Sequence, residues 1–89
     1  MATTSDRLTC ARNLAEAVNG QPDNVADALP QLSEILAIET DAEVITEAVV
    51  ALGFAGDPRA VQLILDHVRV DHPDAGVRLA VARALPGGF

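Results

Sequence analysis

The run Glu43–Leu65, EVITEAVVALGFAGDPRAVQLIL, decides how the rest of the chain is read. Ile45, Ala48, Leu52 and Ala55 recur at steps of three and four, which puts them on one face of a helix. Gly53 to Pro58 then interrupts the pattern, and Asp57-Pro58 restarts it. The aspartate can accept a first-turn amide, and the proline stands at the first helical position, where its missing N–H costs nothing. Val61, Ile64, Leu65 and Val68 are the buried stripe expected of this second helix. The run therefore predicts two helices joined by a tight polar turn.

The same punctuation continues on both sides. Gly20-Gln21-Pro22, Glu39-Thr40-Asp41, Asp71 to Gly76 and Pro86-Gly87-Gly88 divide the chain into segments expected to be helical near 5–18, 23–37, 41–54, 58–70 and 74–85. The first, opening near Ser5 or Asp6, carries Leu8, Ala11, Ala15 and Val18, and the second Val25, Leu29, Leu32 and Leu36. The third opens with TDAE, a capping box in which Thr40 accepts the Glu43 amide. The fifth holds Val77, Val81, Ala84 and Leu85 between Pro73 and Pro86. No window shows sustained period-two alternation, so the expected class is all-α.

The segments also repeat. Pro22 and Pro58 lie 36 residues apart, and Thr40-Asp41 and Pro73-Asp74 lie 33 apart. At that second offset Val44, Ala51 and Leu52 match Val77, Ala84 and Leu85. A helix pair recurring at this period implies an α-solenoid; the competing reading is a plain helical bundle with coincidental spacing.

Composition limits the rest. The 89 residues include two Phe, no Trp and no Tyr, so the core must be aliphatic. All six cations are Arg, against thirteen acids, for a net charge of −7. Such a surface repels phosphate backbones and anionic headgroups, so neither nucleic acid nor membrane is expected as a partner. A single cysteine, Cys10, excludes an internal disulfide and fits a reducing compartment. MATTSDRLTC has no basic start followed by an apolar run, and the expected location is cytoplasmic.

Ala51-Leu52-Gly53, Gly56-Asp57-Pro58 and Val77-Arg78 give residues 41–85 a resemblance to HEAT-like repeats of the phycobilin-lyase type. Residues 5–38 resemble them more loosely, and Val44-Ile45 departs from the Val-Arg usual in that family. Tetratricopeptide and ankyrin patterns fit worse, lacking their Trp and Tyr or their Thr-Pro-Leu-His turn here. The resemblance implies a right-handed α-solenoid of antiparallel helix pairs. It would form one domain over 1–89, with pairs at 5–38 and 41–70 and a half-repeat at 74–85.

LDHVRVDHPDAGVR, residues 65–78, contains Asp-His twice, at Asp66-His67 and Asp71-His72. The second pair falls in an inter-repeat turn where Asp74 is placed to cap a helix, and four ligands split between helix and turn make a poor metal site. HEAT-like deoxyhypusine hydroxylases hold iron with His-Glu pairs, which this sequence lacks, so that activity is not carried over. Glu43 and Glu47 read as a solvated helix face with a capping role for Glu43, and Cys10, with no nearby cation except Arg7 and Arg12, as a small helix residue rather than a nucleophile. No catalytic residue, cofactor or metal is expected.

In such solenoids the second helix of each pair lines the partner-binding face. Its solvent stripes here would be Asn24, Asp27, Gln31 and Glu34, then Arg59, Gln62, Asp66 and Arg69, with carboxylates of one stripe meeting arginines of the next. The expected function is a non-catalytic protein-interaction or scaffold module for a protein or peptide partner. The alternative, by resemblance only, is an accessory or regulatory part of a lyase or hydroxylase system. The apolar fifth helix further suggests an N-terminal piece of a longer HEAT-like protein, and a homodimer through the helix at 74–85.

Overall fold

Helix starts explain most of the architecture, and those of four helices are set by a short polar side chain. A computed structural model of the protein describes residues 3–19, 22–55, 57–68 and 72–84. Among these residues it contains five helices and no strand: α1 (Thr4–Val18), α2 (Pro22–Ile38), α3 (Ala42–Ala55), α4 (Pro58–His67) and α5 (Ala75–Ala84).

α1 begins just before the expected Ser5, because Thr3 forms a capping box with Asp6. The Asp6 amide donates to Thr3 Oγ1 at 3.1 Å, and the Thr3 amide donates to Asp6 Oδ2 at 3.2 Å. At α3 the cap is Asp41 rather than the expected Thr40. Asp41 Oδ1 accepts the amides of Glu43 at 3.0 Å and Val44 at 3.3 Å. Glu39 Oε1 holds the Thr40 and Asp41 amides at 3.1 and 3.0 Å, and this fixes the turn one residue further along. Asp57 caps α4 as expected, its Oδ1 accepting the Arg59 amide at 2.8 Å with Pro58 following. Asp74 caps α5, accepting the Val77 amide at 3.0 Å. Gly76 leaves room for that cap, since a Cβ there would stand 3.0 Å from Asp74 Oδ1.

α4 is shorter than the expected 58–70. Val68 leaves the helix in an extended conformation (φ −119°, ψ 128°), buries its side chain in the core and donates its amide to the Ile64 carbonyl at 2.8 Å. Residues 69–71, Leu85 of the expected fifth stripe and the Pro86-Gly87-Gly88 turn lie outside the described residues.

α1, α3 and α5 pack side by side as one layer with α3 in the middle. α2 and α4 form the second layer, α2 against α1 and α3, and α4 against α2 and α3. Antiparallel pairs stacked this way make a short α-solenoid. The core is aliphatic, its largest fully buried side chains including Leu32, Leu52, Ile64, Val49 and Val81. α3 is buried almost all round, through Val44, Ile45, Ala48, Val49, Ala51, Leu52 and Gly53, as its place between neighbours requires. Leu8 and Ala55, read as stripe residues, are only half-buried. In α4 the expected stripe is rotated. Ala60, Ile64 and Val68 are buried and Leu63 packs at the edge of the core, whereas Val61 is half-buried and Leu65 is 52% exposed. Simultaneous contact with α2 and α3 turns the helix toward the Ala60 and Leu63 side.

Candidate interaction surface

α2 and α4 lie next to each other in the second layer, and the valley between them is an open groove of about 450 Å³. Ala26, Leu29, Pro30 and Ser33 line it from α2, and Arg59, Gln62 and Leu63 from α4. Its surface is chiefly apolar, because Leu29, Pro30 and Leu63 come together in its walls. Pro30 sits inside α2, where it has no N–H to offer the carbonyl of Ala26 one turn earlier. Both residues line the groove. Sequence periodicity passed over this proline, although a proline within an otherwise helical segment was the one available signal.

The structure places the expected face as follows. Asn24, Asp27, Gln31 and Glu34 on α2 and Arg59, Gln62 and Asp66 on α4 are exposed; Arg69 lies outside the described residues. Only Arg59 and Gln62 of these line the groove itself. Asn24 has a structural task, its Nδ2 donating to the Ala17 carbonyl at 2.7 Å to tie α2 to α1. Gln31 Nε2 donates to the Asp27 carbonyl at 3.3 Å, and Gln62 Nε2 to Asp66 Oδ1 at 2.7 Å.

The expected ion pairs between stripes do not form among the described residues. Arg59 turns instead to its own helix cap, with Nε 3.1 Å from Asp57 Oδ1 and Nη2 3.0 Å from Oδ2. The Arg59 side-chain bond, its amide and its charge hold the Asp57 carboxyl below the usual range. The carboxylates of Asp23, Asp27 and Glu34 therefore have no cationic partner among the described residues, and α2 carries no basic residue. The groove is chiefly apolar within, and at 100° per residue Asp23, Asp27 and Glu34 fall on the side of α2 next to its Pro30 wall.

The remaining candidates fall elsewhere. His67 and His72 line a recess of about 340 Å³ with Leu36, Glu39, Thr40, Ile45 and Val68. His72 Nδ1 accepts the Asp74 amide at 3.0 Å, so this nitrogen helps to shape the turn before α5. Arg78 Nη1 fastens the same turn, donating to the carbonyls of His72 at 2.7 Å and Pro73 at 2.9 Å. Glu39, its side chain only 3% exposed, is committed to Arg7, which donates through Nε and Nη2. Burial pushes the Glu39 carboxyl up, but the Arg7 guanidinium and the Asp41 and Thr40 amides outweigh it and hold the carboxyl below its ordinary value. Asp66 belongs to Gln62, and Asp71 lies outside the described residues. Among the described residues no three His, Cys, Asp or Glu side chains converge as metal ligands. Glu43 and Glu47 line a third recess with Arg12, whose Nε stands 3.7 Å from Glu47 Oε1. Cys10 is an exposed free thiol on α1.

A protein-family model for HEAT repeats matches residues 3–86. No curated protein matches the chain, and no solved structure does. HEAT repeats generally serve as protein-interaction scaffolds and are typically non-catalytic. With helices stacked in two layers and a family match covering nearly the whole sequence, the chain belongs to the HEAT repeat family.

Proposed function

We propose that the protein is a non-catalytic protein-interaction module whose docking site is the α2–α4 groove. The observation that carries this reading is an apolar groove bordered by carboxylates that have no cationic partner among the described residues. The part-buried Arg7–Glu39 pair is satisfied within the solenoid, whereas Asp23, Asp27 and Glu34, with no cationic partner among the described residues, are offered to something outside it. The partner is a polypeptide segment with an apolar anchor flanked by Arg or Lys. Its anchor fills the space between Leu29, Pro30 and Leu63, and its cations meet Asp27 and Glu34. Gln31, Gln62 and Asp66 supply polar contacts at the rim, while Arg59 is partly spent on Asp57 and Asn24 on Ala17. The two pairs and the terminal half-repeat act as one unit that presents this groove. Nucleic acid and anionic membrane surfaces are disfavoured by the net charge of −7, and no helix among the described residues is long and apolar enough to cross a membrane.

Selection of random peptides displayed against the immobilised protein tests the reading. Selected peptides are expected to share an apolar anchor with flanking cations. Ala26→Arg, a substitution at an exposed α2 position in the groove wall, is expected to abolish their binding while leaving the helical circular dichroism spectrum intact. Binders that survive Ala26→Arg, or that carry acidic flanks, would overturn it.

A further inference from the structure

The second unpartnered surface lies on α5. This helix packs chiefly on α3 through Val77, Ala80, Val81 and Ala84. The opposite face carries Ala75, Leu79 and Ala82, with Leu79 54% exposed. Helical geometry, at 100° per residue, puts Arg78 on one side of this stripe and Arg83 on the other. α5 contains no acidic residue. Arg78 is bonded only to neutral carbonyls, and Arg83 has no ion-pair partner among the described residues. Among the described residues, an otherwise acidic chain thus has two cations without carboxylate partners beside an exposed leucine on α5, and three carboxylates without cations beside an apolar groove at α2.

We propose that the outer face of α5 of one copy docks into the α2–α4 groove of a second copy, with Leu79 as the apolar anchor. This rests on the reading of the groove as a docking site and names its occupant. Leu79 enters the space between Leu29, Pro30 and Leu63. Arg78 and Arg83 meet the acidic margin of Asp23, Asp27 and Glu34. A two-fold contact of α5 with its own copy is the poorer arrangement, because it sets Arg78 and Arg83 against the same two arginines with no acid on either helix. The contact joins two different surfaces, so each copy keeps one free groove and one free α5, and association proceeds head to tail.

Sedimentation velocity over a concentration series of the full chain tests this. The wild-type protein is expected to form a concentration-dependent series of oligomers that weakens as salt is added. Leu79→Asp, at an exposed position, is expected to give monomers, as is Arg78→Glu/Arg83→Glu. Because Arg78 also fastens the turn before α5, Arg83→Glu alone serves as the second variant and is expected to weaken association. Asp27→Arg/Glu34→Arg is expected to be monomeric by itself. An equimolar mixture of Arg78→Glu/Arg83→Glu with Asp27→Arg/Glu34→Arg restores association, since each reversed surface then meets its complement. A wild-type monomer at every concentration would overturn the proposal while leaving the groove open to a different protein. Association abolished by Leu79→Asp but untouched by Asp27→Arg/Glu34→Arg would overturn it in favour of the two-fold α5 contact.

Discussion

Asp41 and Thr40 stand side by side, and only one of them caps α3. Asp41→Ala is expected to cost about 1 kcal/mol, the usual loss for an N-cap, whereas Thr40→Ala should leave the melting midpoint nearly unchanged; thermal denaturation of the two variants checks this. Both residue types favour the cap position, so the sequence presents two candidates and local backbone geometry chooses. Glu39 makes that choice, and its other bond reaches Arg7 on a helix 32 residues away, a distance at which no local pattern operates. Folding lowers the Glu39 pKa from its ordinary 4.5. Its stabilisation is therefore complete above that value and is lost as the pH falls through the lower folded value. The gap in melting temperature between wild type and Glu39→Gln is expected to be widest near neutral pH and to close on acidification below 4.5. A gap that stayed constant through that range would count against the pair.

Ile64 and Leu65 are neighbours on α4 with opposite fates. Ile64 is 1% exposed and Leu65 52%. Ile64→Ala is expected to cost about 2–5 kcal/mol through lost burial and a residual cavity. Leu65→Ala should stay within about 0.5 kcal/mol of wild type, as urea denaturation of both variants would measure. The five helices and most of their starts were legible, because Asp57-Pro58 and Asp74 are local signals and the 33-residue offset is a repeat of the sequence itself. The rotation of α4 was not. Ala60, Val61, Leu63, Ile64, Leu65 and Val68 contain two overlapping apolar stripes, and contact with α2 and α3 decides between them. The helix end at His67 was hidden for a related reason: neither Gly nor Pro marks it, and Val68 stops the helix by turning inward. The groove was legible only as a helix pair, since its lining comes from residues 26–33 and 59–63, which acquire a common surface only on packing.

At the scale of the molecule, longer solenoids are nearly one-dimensional, each unit touching only its neighbours. This one is so short that its middle unit adjoins everything else: α3 packs against α1 and α2 of the unit before, its own partner α4, and α5 of the unit after. The arrangement governs the order in which the native state opens. α5 rests chiefly on α3 and can detach while the other four helices keep their contacts, whereas α3 cannot lose its packing without giving up contacts with all four other helices, leaving little beyond α1 on α2 and α2 on α4. Native-state hydrogen exchange is accordingly expected to find the α3 amides released only with global unfolding and those of α5 released first, at a small fraction of that free energy. Uniform protection across both helices would contradict this ordering. A helix chosen by its neighbours as the common wall would thereby be the clock of the fold: the element in the middle of the sequence is expected to exchange most slowly, and the surface that carries Leu79 to come loose first.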